Sequence, residues 1–162
     1  MLEIHPSAII SKYADIEDSV IGSKISIGEN CLIDSFVKIK PSGGVGDLTM
    51  GSNVKINSGC VIYTGNGISI SDNVAIAANC TLAPVNHEFS RKDILISKQR
   101  FRPSKGGIII ESDVWIGANC ILLDGAHLRQ GCVIGAGSIV RGNVEAYSIN
   151  VGNPLCVIQY RQ

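Results

Sequence analysis

The chain has few aromatic residues: phenylalanine, tryptophan and tyrosine together make up only 5% of its 162 residues. Hydrophobic residues nevertheless account for 45% of it. A core of this composition has to be built mainly from isoleucine, valine, leucine, alanine and cysteine, because few large rings are available to fill a wide interior. The length is that of one domain with a sizeable core, and the composition favours a narrow core.

An excess of charge of either sign is also missing. The 14 basic and 14 acidic residues give a formal net charge of zero, which does not favour a nucleic acid or an anionic membrane as a partner. No stretch reaches the ~20 apolar residues of a membrane-spanning helix. The segment Met1–Pro6 has neither the basic start nor the apolar run of a signal peptide, so we expect a cytoplasmic protein.

The sequence contains no Cys-x-x-Cys pair, although it has six cysteines. The absence of paired cysteines disfavours a zinc site, and we expect no metal requirement. Five of the cysteines instead occupy the small position of a repeat, where cysteine acts as a small hydrophobic residue of the core. These five are Cys31, Cys60, Cys80, Cys120 and Cys132.

The repeat has a period of six residues. Along most of the chain an aliphatic residue recurs every six positions, and a small residue stands four places after it. This period does not match the 3.6 residues of a helical turn; it suits short extended segments separated by corners. The aliphatic positions are Ile4, Ile10, Ile16, Ile21, Ile27, Ile33, Met50, Ile56, Ile62, Ile70, Ile76, Leu82, Ile110, Ile116, Leu122, Leu128, Ile134 and Val140, and the small partners of the first three are Ala8, Ala14 and Val20.

Three hexads make one coil of about eighteen residues, and stacked coils form a solenoid with three parallel sheets. We expect this solenoid over residues 1–153, a long protruding loop at about 84–107, and a C-terminal tail or cap over 154–162. The loop is polar, basic and without periodicity. A loop of this length within a compact domain is either functional or disordered.

Four segments carry a resemblance to a known family. They are Asn79-Cys-Thr-Leu-Ala-Pro-Val-Asn-His, Asp113-Val-Trp-Ile-Gly-Ala-Asn-Cys, Val133-Ile-Gly-Ala-Gly-Ser-Ile-Val and Val151-Gly-Asn-Pro-Leu-Cys-Val-Ile. In this order they resemble the hexapeptide-repeat acyltransferases, in the branch of galactoside, maltose and polysaccharide O-acetyltransferases. The resemblance covers almost the whole chain. It implies an all-β, left-handed parallel β-helix; the usual preference for right-handed crossovers would favour the opposite hand.

The resemblance also implies a homotrimer in which acetyl-CoA and the acceptor bind between adjacent subunits. His87 matches the catalytic histidine of the family, at the point where the repeat stops and the long loop begins. An imidazole suits this role because it titrates near neutral pH, and it can take the proton of a sugar hydroxyl as the hydroxyl attacks the thioester. The resemblance implies direct transfer, with no acyl-enzyme. Glu88 is a candidate to orient the ring, while His5 and His127 are interpreted as surface residues.

Other site residues follow from the same resemblance. Asn57 matches an asparagine near the acetyl group and the acceptor, although a corner residue with left-handed backbone is the alternative. Trp115 should face outward and line the cleft, or else serve only in subunit packing. Three positions match residues that contact CoA: Ala118, Ala136 and Arg141.

The chain departs from the family at several positions. Cys156 and Gln159 replace two C-terminal arginines, so that Arg161 or Lys105 would have to supply charge for the CoA phosphates. Gly65 stands where galactoside acetyltransferase has an acceptor-binding aspartate. We also expect no helical N-terminal extension like that of the galactoside and maltose enzymes, since the hexads begin at Ile4. These departures leave the identity of the acceptor open.

The resemblance therefore implies an acetyl-CoA-dependent acetyltransferase that acts on a sugar hydroxyl, in a saccharide or a surface-polysaccharide precursor. N-acetylation of a nucleotide-linked amino sugar is a close alternative that uses the same histidine. A zinc carbonic anhydrase on this fold would need three histidine ligands, and the three histidines here are scattered along the chain. A non-catalytic β-helical scaffold is the remaining alternative.

Overall fold

A computed structural model describes residues 1–162 and shows a left-handed parallel β-helix. Its strands are numbered β1 to β21 along the chain, and three of them make one coil. Sheet 1 contains β1 (Leu2–Ile4), β4 (Ile25–Ile27), β7 (Leu48–Met50), β10 (Ile68–Ile70), β13 (Ile108–Ile110), β16 (His127–Leu128) and β19 (Asn143–Val144).

The other two sheets follow in each coil. Sheet 2 contains β2 (Ile9–Ile10), β5 (Leu32–Ile33), β8 (Lys55–Ile56), β11 (Ala75–Ile76), β14 (Trp115–Ile116), β17 (Val133–Ile134), β20 (Ser148–Val151) and β21 (Cys156–Tyr160). Sheet 3 contains β3 (Asp15–Ile16), β6 (Lys38–Lys40), β9 (Val61–Tyr63), β12 (Thr81–Ala83), β15 (Ile121–Leu123) and β18 (Ile139–Val140). Coils 1 to 6 therefore begin at β1, β4, β7, β10, β13 and β16.

Equivalent residues of successive coils lie directly above one another. In sheet 2, for example, Ile56 pairs in parallel register with Ile33 on one side and Ile76 on the other. Among the numbered strands, only β20 and β21 pair antiparallel. The six-residue period therefore predicted the stacking correctly, because a constant number of residues per corner keeps each inward side chain above its counterpart.

The core is a single column of thirty buried hydrophobic residues. The five cysteines predicted to point inward are all buried, together with the aliphatic residues that accompany them. Cys80 and Cys120 direct their thiols at the carbonyl oxygens of Gly117 and Gly135, at 3.1 and 3.2 Å, in the next coil. Cysteine thus packs as a small core residue, as predicted.

The first coil differs from the prediction. Val20 is 99% exposed and Ile21 is also exposed, although the hexad pattern placed both inside. The inward residues of coil 2 begin at Ile25 instead. Ile4 forms part of β1 and is still 40% exposed. Val20 and Ile21 lie outside the strands, in the long connection between β3 and β4, and so do not reach the column of inward side chains. Ile4 stays open because coil 1 has a neighbouring coil on only one side.

The long loop leaves the helix between β12 and β13. It contains one short helix, α1 (Ile96–Gln99), and an antiparallel bridge between His87 and Phe101. At the C-terminus, β21 runs back along β20 and extends sheet 2 by one strand. No helix of this protein is both long enough and apolar enough to span a bilayer.

Candidate active site

Two corners of the β-helix carry most of the predicted site residues. At the sheet 2–3 corner each coil turns from sheet 2 into sheet 3, and Asn57, Ala118 and Ala136 lie there in coils 3, 5 and 6. At the sheet 3–1 corner each coil turns from sheet 3 into the next strand of sheet 1. The long loop with His87 leaves the helix at this second corner, and Arg141 directly follows β18 there.

His87 is held by its backbone and by one aromatic neighbour. The amide of Glu88 donates to the carbonyl of Arg100 at 3.0 Å, and the amide of Arg102 donates to the carbonyl of Asn86 at 2.9 Å. These two bonds frame the bridge between His87 and Phe101, whose ring centroids are 4.8 Å apart. The imidazole is exposed and neither nitrogen has a hydrogen-bond partner within the chain, so both are free to meet a substrate.

Glu88 does not orient His87. Its Oε1 accepts hydrogen bonds from the amides of Phe89 and Ser90, both at 2.8 Å, and lies 3.5 Å from Arg102. The hydrogen bond from the Ser90 amide, followed by the others, lowers the pKa of Glu88 below its ordinary value. The suggestion that this carboxylate positions the ring is therefore wrong for the isolated chain. The carboxylate accepts hydrogen bonds from the two backbone amides that follow it and does not contact the imidazole.

A pocket of about 670 Å³ lies beside the bridge. Side chains alternate across an extended segment, so Asn86 and Glu88 face the pocket while His87 faces the other side with Phe101. The full lining consists of Val85, Asn86, Glu88, Arg102, Pro103, Lys105, Leu123, Asp124 and Arg141. Of the three residues that the resemblance matches to CoA contacts, only Arg141 lines this pocket, together with Lys105, the candidate for replacing the lost arginine charge.

The pocket contains two cations without an ionic partner. Asp124 accepts the backbone amides of Lys105 and Gly107, at 2.8 and 2.9 Å, which uses both of its carboxylate oxygens. Arg102 is paired with Glu88. The Lys105 amino group and the Arg141 guanidinium make no ion pair in the chain, which leaves the pocket able to receive an anion. No feature of the sequence indicated Asp124, which stands between two ordinary hexads.

The sheet 2–3 corner is lined by small residues from coil 3 onward. The amide of Gly137 donates to the carbonyl of Ala118 at 2.8 Å, which places Ala136 directly after Ala118 along the corner. A side chain on Gly117 would lie 2.6 Å from the backbone nitrogen of Ala136, so neighbouring coils are closely packed there. The result is a smooth backbone edge that a narrow ligand can follow.

Asn57 lies on the same corner, nearer the N-terminus. Its Nδ2 donates to the carbonyl of Ile76 at 2.9 Å, while its side-chain oxygen has no partner in the chain. Trp115 lies on the outer face of sheet 2, between Ala75 and Val133, and is 55% exposed. Trp115 therefore points outward, as the pattern predicted.

One chain does not bring all the predicted residues together. In coil 6, Ala136 lies in the turn before β18 and Arg141 follows β18, so a strand of sheet 3 lies between them. His87 and Arg141 belong to the sheet 3–1 corner; Asn57, Ala118 and Ala136 belong to the sheet 2–3 corner. The geometry of a single chain thus leaves two half-sites on different corners.

The departures from the family pattern also have structural explanations. Arg161 donates to Asp113 at 2.8 Å and to the Gly131 carbonyl at 2.9 Å, so its charge is used at the end of the β-helix and not in the pocket. A side chain on Gly65 would lie 2.1 Å from a methyl carbon of Val85. Val85 therefore occupies the space that an acidic side chain at position 65 would need.

The remaining histidines are engaged elsewhere. His5 Nδ1 lies 2.9 Å from the hydroxyl of Ser7, and His127 Nε2 lies 2.8 Å from a carboxylate oxygen of Glu111. Both contacts agree with surface roles. Nowhere do three or more histidine, cysteine, aspartate or glutamate side chains come together in a metal-binding arrangement.

Comparisons with known proteins identify a matching family model, similar sequences and similar solved structures. Residues 107–141 match a family model described as the hexapeptide repeat of succinyl-transferase. The chain is 30% identical over 160 residues to dTDP-4-amino-4,6-dideoxy-D-glucose acyltransferase of Escherichia coli, covering 84% of this chain and 82% of that protein. It is 28% identical to galactoside O-acetyltransferase of Escherichia coli K12, covering 96% of this chain and 71% of that protein.

A probable acetyltransferase of Mycobacterium tuberculosis is 34% identical over 72% of this chain, which spans only 38% of that longer relative. Among solved structures, an N-acyltransferase from Bacillus cereus in complex with dTDP and 3-hydroxybutyryl-CoA superposes with a TM-score of 0.81 at 25% identity. The superposition covers 99% of this chain and 83% of the other.

Proposed function

The chain belongs to the hexapeptide-repeat acyltransferase family, and from this premise we propose that it transfers an acetyl group from acetyl-CoA to a sugar hydroxyl, with His87 as general base. The expected acceptor is a saccharide or a precursor of a surface polysaccharide. The observation that carries the proposal is the free imidazole of His87, on the loop that leaves the sheet 3–1 corner beside a pocket with two unpaired cations.

The active site is proposed to form between subunits of a homotrimer. The separation of the two half-sites supports this, because a cleft shared by two copies can bring the sheet 3–1 corner of one next to the sheet 2–3 corner of the other. His87 and Arg141 would come from one copy, and Asn57, Ala118 and Ala136 from its neighbour. A single chain, by contrast, would keep the base and the donor edge apart.

The donor is proposed to lie along the sheet 2–3 corner. Ala118 and Ala136 leave room for the narrow pantetheine arm close to the backbone. Arg141 and Lys105 are the cations that would meet the CoA phosphates, since neither has an ionic partner in the chain. Lys105 then replaces the charge lost at Cys156 and Gln159, whereas Arg161 is already bound to Asp113.

The reaction is a direct transfer. The imidazole of His87 takes the proton of the acceptor hydroxyl as its oxygen bonds to the acetyl carbon. The carbon–sulfur bond then breaks, and the departing CoA thiolate receives the proton from the imidazolium. Asn57, whose side-chain oxygen is unpartnered, and Trp115, which is exposed, would contact the acetyl group or the acceptor. No metal takes part in this scheme.

N-acetylation of a nucleotide-linked amino sugar is the second candidate. It is favoured by the Escherichia coli relative that acts on dTDP-4-amino-4,6-dideoxy-D-glucose and by the Bacillus cereus N-acyltransferase that binds dTDP. The same histidine and donor edge would serve both reactions. The difference lies in the atom that attacks the thioester.

The test is an acceptor panel with acetyl-CoA as donor and thiol release as readout. The panel includes simple glycosides, oligosaccharides and a nucleotide-linked amino sugar, and a thermal-shift series measures stabilisation by acetyl-CoA. His87→Ala should lower the rate by ~10²–10⁴ without changing the melting temperature, since the side chain is exposed. His5→Ala is the matched control and should keep full activity. Undiminished activity of His87→Ala, or no stabilisation by acetyl-CoA, would contradict the proposal and favour a non-catalytic scaffold.

A further inference from the structure

Two exposed aromatic side chains are stacked on the sheet 2–3 corner. Tyr13 and Phe36 have ring centroids 5.8 Å apart and ring planes only 21° from parallel. They are 57% and 67% exposed, in a chain that is only 5% aromatic. Both lie three residues after the inward isoleucine of sheet 2, in coils 1 and 2, so they occupy equivalent positions.

Phe36 adopts a backbone conformation that its side chain disfavours. Its φ is 63°, in the left-handed region, where a bulky residue is strained. The equivalent positions of later coils carry residues that tolerate this conformation, namely Gly59, Asn79, Asn119 and Gly137. A strained and solvent-exposed phenylalanine, at a position where asparagine or glycine serves elsewhere, contributes little to the fold, and such residues are concentrated at binding sites.

Polar groups lie beside the aromatic pair. Asp34 accepts the hydroxyl of Ser58 and the amide of Ser35, both at 2.6 Å. The Ser35 hydroxyl lies 2.9 Å from that of Ser11. The Ser58 hydrogen bond, followed by that of the Ser35 amide, lowers the pKa of Asp34. An apolar ring face next to hydroxyl and carboxylate groups matches a sugar ring, which has a C–H face and a hydroxyl rim.

The aromatic pair also lies on the same corner as the proposed donor edge and Asn57, further toward the N-terminus. Along the sheet 2–3 corner, Ala136 and Ala118 lie in coils 6 and 5, Asn57 in coil 3, Phe36 in coil 2 and Tyr13 in coil 1. Neighbouring coils are ~4.8 Å apart. Phe36 is thus one coil beyond Asn57, on the side away from the donor edge, at a spacing comparable to that of adjacent rings in an oligosaccharide.

We propose that Phe36 and Tyr13 form a stacking platform for the sugar ring adjacent to the one that is acetylated. The enzyme would then prefer acceptors of at least two linked sugars over monosaccharides. This inference rests on the proposed function for the position of the acetylated ring near Asn57. The platform itself rests on the stacked geometry, the exposure and the strained backbone of Phe36.

The decisive variant is Phe36→Asn, because asparagine already occupies the equivalent left-handed positions 79 and 119. It should be as stable as the parent protein or more so. For a disaccharide acceptor KM should rise about ten-fold, the loss of one stacking contact, with kcat unchanged. For the corresponding monosaccharide KM should stay the same. Tyr63→Ser removes an exposed aromatic from sheet 3 and should affect neither acceptor.

Ligand-observed NMR separates this inference from the proposed function. Saturation transfer from the protein to disaccharides in the His87→Ala variant reports binding without turnover, and Phe36→Asn in that background should weaken it about ten-fold. Because this measurement reports binding and not turnover, it tests the platform even if no sugar is acetylated. Equal effects on mono- and disaccharides, loss of dTDP binding in place of disaccharide binding, or a change in the oligomeric mass of Phe36→Asn would each overturn the proposal.

Discussion

The imidazole of His87 packs against the ring of Phe101, with 4.8 Å between centroids and a tilt of 46° between the planes. The contact joins the two arms of the long loop, because the same two residues form its antiparallel bridge. Phe101 touches no other ring and is itself half exposed. It is therefore the residue that limits the orientations of the proposed base.

Truncation of Phe101 should reduce the rate without abolishing it. In Phe101→Ala the imidazole gains rotational freedom, so kcat should fall about ten-fold while KM for acetyl-CoA stays unchanged. Phe101→Tyr keeps the ring and should retain most of the activity. Steady-state kinetics of both variants check this. An equal loss in the two variants would show that the ring contact does not position His87.

Removal of either unpaired pocket cation should weaken donor binding. Arg141→Ala and Lys105→Ala should each raise KM for acetyl-CoA about ten-fold, because hydrogen bonds to charged groups contribute more than neutral ones. Arg91→Ala is the control, since Arg91 is on the same loop but pairs with Asp93 outside the pocket. The effect should shrink for donors that lack the nucleotide. Unchanged KM values for acetyl-CoA would show that neither cation contacts the CoA phosphates.

Only one of the six thiols should react in the folded protein. Cys156 is exposed, whereas the other five are buried. Burial also raises the pKa of Cys132 to about 12 and raises that of Cys31, so mild alkali should not activate them. A thiol titration should count one group in the native state and six after denaturation, and none in native Cys156→Ser. A second fast thiol in the native protein would contradict the burial of the cysteine column.

The contribution of Glu111 to the stability of the protein should depend on pH. The amide of Gln130 and then His127 hold the pKa of Glu111 below its ordinary value of 4.5, because both donate hydrogen bonds to the carboxylate. A carboxyl group whose pKa is lower in the folded state stabilises the protein above the unfolded value and loses this contribution as the pH falls through the folded value.

Glu111→Gln should therefore melt at a lower temperature than the parent at neutral pH. The difference should narrow as the pH drops below 4.5. Melting curves over this range measure it, with Glu29→Gln as an exposed control that lacks an ion pair. A pH-independent difference would mean that packing and not ionisation explains the loss.

Truncation of an inward side chain should lower the free energy of unfolding by different amounts in different coils of the β-helix. Leu82 is fully buried in coil 4, so Leu82→Ala should lower the free energy of unfolding by about 2–5 kcal/mol. Ile4 in coil 1 remains 40% exposed, and Ile4→Ala should cost clearly less. Denaturant titrations of the two variants compare them. Equal losses would show that the open end of the first coil is covered in solution.

The repeat made much of the fold predictable. Inward positions from Ile25 to Val144 follow from the period, because each corner returns the next side chain to the same column. The pattern failed at Val20 and Ile21, which lie in the long connection between β3 and β4 and not in a strand. The period reports which residues can point inward; whether they are buried depends on the neighbours stacked against them.

The site was predictable in part only. The break after Leu82 located the loop with His87, and the resemblance supplied Asn57, Trp115, Ala118, Ala136 and Arg141. The sequence suggested that Glu88 or Arg161 could serve the site, and the structure shows their side chains bonded elsewhere. A short polar side chain can find a partner in its own turn or in a distant coil, and sequence spacing does not distinguish the two.

By itself the sequence determined the β-helix, the inward cysteines and the loop that carries His87, because each depends on the six-residue period or on its interruption. The tertiary structure alone decided which corner each predicted site residue occupies. It separated His87 and Arg141 from Asn57 by the width of a sheet, left Lys105 and Arg141 unpaired in one pocket, and stacked Tyr13 on Phe36. Those relationships depend on residues from different coils, whose side chains meet only when the coils are stacked.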